Sequence, residues 1–356
     1  MSFKEKRAMI IMPEYRSGGA EVQFGMYIDH AEECGYKLDV IVTHRFGNNK
    51  VMPAKGEYEN VRFYEINSES SFYSFLMKKN LNTRYDCCLI YFPKDLAFFD
   101  TLCKFNIKAI YSERNDGVEV VINSFFADVL RKCLLVTANS EYSANRIREK
   151  LGIDTVVVNN GITQKSLLEV NNNKHIKNIL VPARIDGIKN QMRVLKFVAR
   201  NREKNYRVNI AGTPSNKAYF LKCRHFVEDN SLEKEIRFLG QVDNMVKVYE
   251  EADVIVLPSL CEGTPNVVLE SYLLGRPVVA MKIGVLEGVV DDRLLFDVGD
   301  ECGIERCINV LESMSQDEYR SMIEKNRNKV LSEYSVDEMF RKYDDILGFT
   351  STETVN

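Results

Sequence analysis

The sequence lacks the features of membrane-spanning and secreted proteins. No apolar run approaches the length that a membrane span requires. The nine cysteines form no Cys-x-x-Cys pair and include the adjacent Cys87 and Cys88, a pattern typical of free thiols rather than of a disulfide framework. Residues 1–7 are polar, and the apolar run Ala8–Met12 is too short for a signal peptide. We therefore expect a cytoplasmic protein.

Two further absences limit the chemistry. The Gly-x-Gly-x-x-Gly spacing of dinucleotide-binding proteins does not occur, which disfavours a nicotinamide-dependent oxidoreductase. The formal net charge of −3 lacks the basic excess of a nucleic-acid-binding protein, so we expect no nucleic acid partner.

What is present is typical of a two-domain α/β protein. Hydrophobic residues make up 45% of the 356 residues, which is enough for two cores of ordinary size. Short branched runs alternate with helical stretches, and this pattern predicts a parallel, doubly wound sheet in each half. We predict a domain over residues 1–165, a polar linker over 166–177, a second domain over 178–333, and a last helix within 334–350 that packs back on the first domain. The two halves would face a central cleft.

One stretch of the second half places two carboxylates around a predicted helix start. The apolar run Asp253–Pro258 predicts a buried strand, and the helix Val267–Leu274 follows a turn, with Asn266 as its N-cap. Glu262 then lies in the loop at the carboxyl end of the strand, and Glu270 lies one turn into the helix. Ligands of open α/β sheets bind at that edge, so both acids could contact one polar ligand. A capping acid and a solvated helical acid are the alternative.

A pair of glycines in the first half stands in a similar place. Gly18 and Gly19 follow the predicted strand Ala8–Met12 and precede a helix that runs to Cys34. Such a turn lets the backbone come close to a phosphate or a sugar. A plain tight turn is the alternative.

Several motifs, taken in their order and spacing, resemble those of the retaining glycosyltransferases with the GT-B fold, in particular glycosyltransferase family 4. Gly18–Glu21 is similar to the family's glycine loop, and Asn160–Ile162 to its Asn-Gly-Ile/Val before the linker. Pro182–Asn190 resembles the Gly-Arg-Leu-x-x-x-Lys-Asn stretch, and Glu262–Glu270 the Glu-x7-Glu motif. Gly275–Ala280 is similar to the Gly-x-Pro-Val-x-Ala that follows. The resemblance covers nearly the whole chain and implies two Rossmann-like domains.

The resemblance implies transfer of a sugar from a nucleoside diphosphate to an acceptor hydroxyl, with retention of the anomeric configuration. Negative charge grows on the diphosphate as the glycosidic bond breaks, and this charge must be stabilised. The sequence has no Asp-x-Asp pair for a metal, so we expect no metal or other cofactor, and Arg184 and Lys189 would supply positive charge instead. An ordinary surface pair is the alternative. The family implies that Glu262 contacts hydroxyls of the donor sugar and Glu270 those of the ribose.

Backbone groups complete the donor site that the resemblance implies. The amide of Gly19 and the helix after it would contact the diphosphate, and the backbone around Gln241 and Val242 would face the base. The other implied donor contacts are Gly18, Gly263, Thr264, Pro265 and Asn266.

The sequence departs from the family at the end of the predicted strand Lys108–Ser112. Many members carry a histidine at this place, whereas this chain has Ser-Glu-Arg-Asn-Asp over residues 112–116 and none of its four histidines there. We name Glu113 and Arg114 as candidates for the group that meets the donor or the acceptor.

Together these features predict a metal-independent, retaining hexosyltransferase. The family implies a uridine diphosphate hexose or N-acetylhexosamine as donor and a glycan or lipid-linked glycan as acceptor, in surface polysaccharide biosynthesis. Two alternatives stay open: a sugar-nucleotide epimerase of the same fold, and a non-catalytic subunit that binds a partner transferase.

A basic and aromatic segment of the first half could contact the inner face of the membrane peripherally. It combines Lys78 and Lys79 with Phe72, Tyr73 and Phe75. An ordinary amphipathic helix that covers the core is the alternative.

Overall fold

The structure, a computed structural model, describes residues 5–15, 19–44, 52–54, 56–163, 174–263 and 266–349. These residues form two compact units, which we call unit 1 and unit 2. Unit 1 is drawn from Met1–Gly161 and from Val336–Asn356, and unit 2 from Ile162–Ser335. The chain thus leaves unit 1 after Gly161 and returns to it at Val336. Residues 164–173, and with them residues 166–173 of the predicted linker, lie outside the described residues.

Unit 1 is built on a sheet of seven parallel strands in the order β3-β2-β1-β4-β5-β6-β7. The strands are β1 (Glu5–Met12), β2 (Leu38–Val42), β3 (Val61–Glu65), β4 (Thr83–Ile90), β5 (Lys108–Glu113), β6 (Leu135–Ala138) and β7 (Thr155–Val157). The chain first adds strands on one side of β1 and then on the other, so the switch point lies between β1 and β4.

The helices of unit 1 follow its strands and cover the sheet. They are α1 (Gly19–Glu33), α2 (Glu69–Lys79), α3 (Phe99–Lys104), α4 (Val118–Ile122), α5 (Ser124–Leu130), α6 (Glu141–Leu151) and, after the return of the chain, α13 (Val336–Leu347). The last helix packs through residues spaced by four: Met339, Tyr343 and Leu347 are all buried in the same apolar cluster as α1 and β2.

Unit 2 repeats the plan with six parallel strands in the order β10-β9-β8-β11-β12-β13. Its strands are β8 (Asn178–Pro182), β9 (Arg207–Ala211), β10 (Ile236–Gly240), β11 (Val254–Leu257), β12 (Val278–Met281) and β13 (Leu295–Phe296). Its helices are α7 (Gln191–Arg200), α8 (Lys217–Asp229), α9 (Met245–Glu250), α10 (Asn266–Leu273), α11 (Gly303–Ser313) and α12 (Gln316–Glu333). The switch point lies between β8 and β11.

The prediction of two parallel, doubly wound sheets is confirmed. The central strands β11 and β12 are buried along their whole length, as expected for parallel strands covered by helices on both faces. Their Val- and Ile-rich sequences have little alternation, because neither face of the strand meets water.

The structure differs from the predicted elements in a few places. The helical stretch predicted over Val118–Arg131 is two helices, because the Asn123 side chain accepts the amides of Phe125 and Phe126 and caps α5. The apolar stretch between β4 and β5 forms a 3-10 turn (Pro93–Phe98) and then α3, neither of which was predicted.

Candidate active site

The candidate site lies at the carboxyl ends of the strands that flank the switch point of unit 2. β8 and β11 are neighbours in the sheet, although 71 residues separate the end of one from the start of the other. The loop after β8 carries Arg184 and Lys189, and the loop after β11 carries Glu262. Open α/β sheets bind ligands at such a point, because the chain diverges there and leaves a crevice at the strand ends.

Lys189 and Glu262, predicted from separate motifs, are in direct contact. The Lys189 Nζ lies 2.6 Å from the Glu262 Oε1, which is the distance of a charge-assisted hydrogen bond. Both side chains are mostly enclosed, with 19% and 12% of their surfaces exposed. The pair therefore presents a fixed positive charge and a fixed hydrogen-bond acceptor side by side at the edge of the sheet.

The loop after β8 is shaped by one aspartate. Asp186 Oδ1 accepts the backbone amides of Ile188 at 3.0 Å and Lys189 at 2.9 Å, which closes a tight turn. Its other oxygen accepts the hydroxyl of Ser215 at 3.0 Å. Asn190 then takes a left-handed conformation (φ 54°) at the start of α7. The turn fixes the backbone of Lys189, so its side chain leaves the loop in one direction.

Two hydrogen bonds join this loop to the loop after β11. The backbone amide of Leu260 donates to the carbonyl of Ile188 at 2.8 Å. The side-chain amide of Asn190 donates to the carbonyl of Pro258 at 3.3 Å. The contact of Lys189 with Glu262 is a further link between the two loops.

Arg184 is held far more loosely than Lys189. Its side chain is 67% exposed, and its Nη2 lies 3.9 Å from the Asp186 Oδ2, at the limit of an ion pair. Exposed pairs of this kind contribute little to stability, so the guanidinium can exchange Asp186 for an anionic ligand. The backbone of Arg184 is better fixed, because its carbonyl accepts the side-chain amide of Gln191 at 2.7 Å.

Glu270 lies one turn into α10 and is supported by a tyrosine of α9. The Tyr249 hydroxyl donates to the Glu270 Oε2 at 3.3 Å. Burial of the tyrosine raises the pKa of Tyr249 well above its usual value, and the nearby carboxylate raises it further, so the hydroxyl remains a donor. Glu270 as a residue is exposed, yet desolvation of its carboxylate by the surrounding protein raises its pKa above the usual range.

The remaining predicted donor contacts of unit 2 lie along the same edge. α10 begins at Asn266, one residue before the predicted helix start, and Gly263 ends the described part of the preceding loop. Gln241 and Val242 follow the carboxyl end of β10, two strands from β8. The predicted contacts Thr264 and Pro265 lie outside the described residues.

Gly212 shows how closely the strand ends approach one another. A Cβ at this position would lie 2.1 Å from the carbonyl oxygen of Ala183, and the backbone has φ 157°. The Gly212 amide donates to the carbonyl of Gly240 at 2.8 Å, which ties the ends of β9 and β10 together. Glycine at position 212 therefore lets the carboxyl end of β9 lie against that of β8.

In unit 1, the glycine pair is only half described. Gly19 is the first residue of α1, just beyond the carboxyl end of the central strand β1, whereas Gly18 lies outside the described residues. β1 borders the switch point of this sheet. Gly19 therefore takes the place in unit 1 that the loop after β8 takes in unit 2.

Glu113 and Arg114 are enclosed by their own unit. Glu113 ends β5 with 1% of its surface exposed, and its carboxylate accepts the Tyr111 hydroxyl at 3.0 Å and the Asn115 amide at 2.7 Å. Burial raises its pKa, although these donors oppose the shift. Arg114 is 6% exposed and donates to the hydroxyl of Tyr343 at 3.1 Å. A direct contact of either residue with a substrate stays a prediction.

Sequence reasoning missed the residues that support the site. Asp186 was not singled out, although an aspartate commonly forms a turn by accepting the backbone amides two and three residues later. Tyr249 gave no local signal, because it contacts a residue 21 positions away. Within the described residues, Ser259 Oγ and Gln191 Oε1 are buried at this edge without a protein hydrogen-bond partner. Such oxygens mark places where water or a ligand completes the pairing.

Comparison with known proteins finds a family similarity in unit 2. Residues 176–313 match the family described as Glycosyl transferases group 1. This segment contains both Lys189 and Glu262. This part of unit 2 is therefore similar to the group 1 glycosyl transferases.

Named relatives each match about a third of the chain. A D-inositol 3-phosphate glycosyltransferase from Corynebacterium glutamicum is 33% identical over 135 residues, which are 36% of this chain and 32% of the relative. A UDP-Gal:alpha-D-GlcNAc-diphosphoundecaprenol alpha-1,3-galactosyltransferase from Escherichia coli is 29% identical over 126 residues, which are 34% of this chain and 32% of the relative. The matched segment thus spans about a third of the length of these relatives.

Solved structures extend the similarity to the whole fold. Anabaena HepE in complex with UDP and glucose superposes with a TM-score of 0.78 over 97% of this chain and 100% of its own, at 15% identity. A sucrose-phosphate synthase from Thermosynechococcus elongatus gives a TM-score of 0.78 over 98% and 100%, also at 15% identity. The predicted GT-B fold is therefore confirmed.

The described residues contain neither a helix that could span a membrane nor a group of side chains that could hold a metal ion. None of their helices is both long and apolar enough to cross a bilayer. In the same part of the chain, no group of three or more His, Cys, Asp or Glu side chains is placed to hold a metal ion.

Proposed function

We propose that this protein is a retaining, metal-independent glycosyltransferase that moves a hexose or an N-acetylhexosamine from a UDP-sugar to a glycan or lipid-linked glycan in surface polysaccharide biosynthesis. The observation that carries the proposal is the enclosed contact of Lys189 with Glu262 at the switch point of a group 1 glycosyl transferase unit. This pair offers a cation for a diphosphate and an acceptor for sugar hydroxyls within one hydrogen bond of each other.

Each residue of the site would act on one part of the donor. The bond between the anomeric carbon and the diphosphate breaks, the acceptor oxygen bonds to the same face of that carbon, and the proton of the acceptor hydroxyl passes to the departing diphosphate. Lys189 and Arg184 would stabilise the charge that develops on the departing diphosphate. Glu262 would accept hydroxyls of the sugar and Glu270 those of the ribose, while the backbone after β10 would face the base.

The relatives support the choice of donor and acceptor. HepE is described in complex with UDP and glucose, and the E. coli relative is named for UDP-Gal and a diphosphoundecaprenol acceptor. A Campylobacter jejuni relative is likewise named for an undecaprenol-linked glycan acceptor. We extend these classes of substrate to this chain.

Donor hydrolysis and binding across a panel of nucleotide sugars test the proposal. The assay contains a metal chelator and compares the natural protein with Lys189→Ala, and with Lys234→Ala, an exposed lysine at the amino end of β10, as control. We expect hydrolysis of one UDP-sugar that falls about 100-fold in Lys189→Ala only, as for the loss of an electrostatic stabiliser. Folded natural protein that binds no nucleotide sugar would favour the non-catalytic subunit, and epimerised donor the epimerase.

We also propose a peripheral membrane contact through the outer face of α2, which fits a lipid-linked acceptor. Tyr73 and Met77 are 42% and 53% exposed on this face, and Leu81, four residues on, is 72% exposed. Lys78 is exposed beside them, and the Lys104 Nζ lies 6.0 Å from the centre of the Tyr73 ring. A helix with apolar and basic residues on its exposed face suits an anionic lipid surface.

The other residues of the segment predicted for this contact face inward. Phe72 is fully buried in the core, and Phe75 is only partly exposed. The Lys79 Nζ donates to the Tyr64 hydroxyl at 2.6 Å, so this lysine is engaged within the unit.

Co-sedimentation with vesicles tests this surface. One double variant of α2 carries both Met77→Glu and Lys78→Glu. The control is a double variant of an exposed pair on α8, with both Leu221→Glu and Lys222→Glu. On vesicles that contain phosphatidylglycerol, the α2 variant should partition about tenfold less than the natural protein, since each basic residue contributes about 1 kcal/mol. Equal binding of both variants, or binding that does not depend on the anionic lipid, would contradict the proposal.

A further inference from the structure

Arg114 joins three distant parts of unit 1. Its Nη1 donates to the Tyr343 hydroxyl at 3.1 Å, and its Nη2 donates to the side-chain oxygen of Asn160. Its guanidinium carbon lies 5.3 Å from the centre of the Phe24 ring. The Tyr343 hydroxyl is also 3.3 Å from the hydroxyl of Ser112, at the end of β5. The partners come from α1, from the segment after β7 and from α13.

Two of these partners stand where the chain leaves unit 1 and where it returns. Asn160 immediately precedes Gly161, the last residue of unit 1 before the chain leaves, and Tyr343 lies two turns after the return at Val336. The two segments touch, because a Cβ at Gly161 would lie 2.7 Å from the Cα of Val336. One guanidinium therefore holds the outgoing segment and the returning helix together.

The same place is tied to the start of α1. The amide of Gly161 donates to the side-chain oxygen of Gln23 at 2.8 Å. Gln23 and Phe24 lie about one turn after Gly19, where α1 begins. A shift of the Asn160–Gly161 segment would therefore displace the first turns of α1 directly.

We propose that Arg114 is a positioning residue: it fixes Asn160 and Tyr343, and through them the first turns of α1 at the glycine turn. This inference rests on the proposed function only where it concerns the reaction, since Gly19 is a proposed donor contact. Under this proposal Arg114 acts on the reaction through its neighbours and does not contact the substrate itself. It also gives a physical reason for Asn-Gly at positions 160–161, because the asparagine accepts the guanidinium and the glycine leaves room for Val336.

The chemistry of arginine suits this task better than that of lysine. A guanidinium has five N–H donors in a planar fork, so it can serve Tyr343 and Asn160 at once while its face packs on Phe24. The ammonium of lysine is a compact point charge on a flexible stem and cannot reproduce this arrangement. Arg114→Lys should therefore lose the effect although it keeps the charge.

Amide hydrogen exchange tests the positioning role without any assay of activity. In Arg114→Lys and Tyr343→Phe we expect the Gly161 amide and the amides of residues 21–24 to exchange about tenfold faster, as local protection is lost. Asn160→Asp, which keeps an acceptor for the guanidinium, should keep the protection. Tyr27→Phe is the matched control. The buried Tyr27 hydroxyl donates to Asp344 on α13, the helix that carries Tyr343, at 3.0 Å and does not touch Arg114. Unchanged exchange in Arg114→Lys, or an equal change in Tyr27→Phe, would overturn the inference.

Kinetics separate positioning from direct contact. If Arg114 acts through α13, Tyr343→Phe alone should lower kcat/KM about tenfold, and its effect should be non-additive with that of Arg114→Lys. Tyr27→Phe should leave kcat/KM within about twofold of the natural protein, since it keeps the ring that packs on Tyr343 and removes only a hydroxyl that donates to Asp344. Normal kcat/KM in Tyr343→Phe with a large loss in Arg114→Lys would assign Arg114 to the substrate instead. A natural protein without transferase activity would refute the proposed function, while the exchange experiment would still decide the positioning role.

Discussion

At the scale of single residues, Lys189 and Glu262 constrain each other. Their contact of 2.6 Å is mostly enclosed, and Asp186 fixes the backbone on the lysine side. Removing one partner of such a pair leaves the other charge partly desolvated, which is unfavourable. The two side chains should therefore behave as one unit in binding and in catalysis.

A double-mutant cycle measures this dependence. We expect Lys189→Met and Glu262→Gln each to lower donor turnover about 100-fold, and the double variant to lose far less than the product of the two, because residues that act as a unit are not additive. The exposed pair Arg224 and Glu228 on α8, 3.2 Å apart, is the control and should show no coupling and no loss. Additive effects at positions 189 and 262 would show that the residues act independently.

Glu113 makes a residue-scale prediction about pH. Burial raises its pKa in the folded protein above the usual value of about 4.5. The folded state then binds more protons than the unfolded state in the range between the two pKa values, so this group's contribution to stability is lost as the pH rises above about 4.5. Glu113→Gln removes this dependence.

The melting temperatures of the natural protein and of Glu113→Gln, measured between pH 4.5 and 7.5, test this sign. The natural protein should be relatively more stable at pH 4.5, and its advantage over the variant should shrink as the pH rises, by about 2–4 °C for each kcal/mol of stability. The exposed Glu119→Gln gives the baseline for the loss of one charge from the same unit. An advantage that stays constant or grows with pH would contradict the expected shift.

At the scale of elements, the Tyr249 hydroxyl of α9 supports Glu270 on α10. Tyr249→Phe removes the hydrogen bond to Glu270, so we expect the KM for the donor to rise about tenfold, in line with a bond to a charged group of about 1.5–3 kcal/mol. Tyr272→Phe is the matched control: it also deletes a buried hydroxyl, on α10 itself, and that hydroxyl has no protein partner among the described residues. An equal rise of KM in both variants would point to packing rather than to the support of Glu270.

The elements themselves were largely predictable, because their signals are local. Buried strands such as β11 are encoded in a few consecutive residues. The Asn123 cap was missed, which is why the stretch predicted as one helix over 118–131 is two. α3 escaped prediction because its six residues, Phe99–Lys104, make too few turns to show a helical period.

At the scale of the whole molecule, the candidate site was predictable in composition but not in contacts. Lys189 and Glu262 were each named from a motif, but no local pattern reports that side chains 73 positions apart touch. Arg114 was named from its position at a strand end, whereas its partners lie 46 and 229 positions away. Burial of a charged side chain is a property of the folded chain and has no local sequence signal. The burial of Arg114 is the reason why we propose a positioning role for it.

The return of the chain to unit 1 leads to a prediction about α13. Met339 and Leu347 are 2% and 4% exposed on its inner face. Replacing both with alanine should destabilise unit 1 by about 2–5 kcal/mol for each residue, because each change leaves a cavity. The control replaces Arg341 and Asp345 on the outer face, an exposed pair 3.1 Å apart, and should cost less than about 1 kcal/mol.

Amide hydrogen exchange shows which of the two sheets is destabilised. In the double variant of Met339 and Leu347, β1 and β4 should lose protection while β8 and β11 keep theirs, because α13 belongs to unit 1 although 174 residues of unit 2 precede it in the chain. Equal loss in both sheets would mean that the two units unfold together. Loss confined to β8 and β11 would mean that the last helix stabilises unit 2 instead.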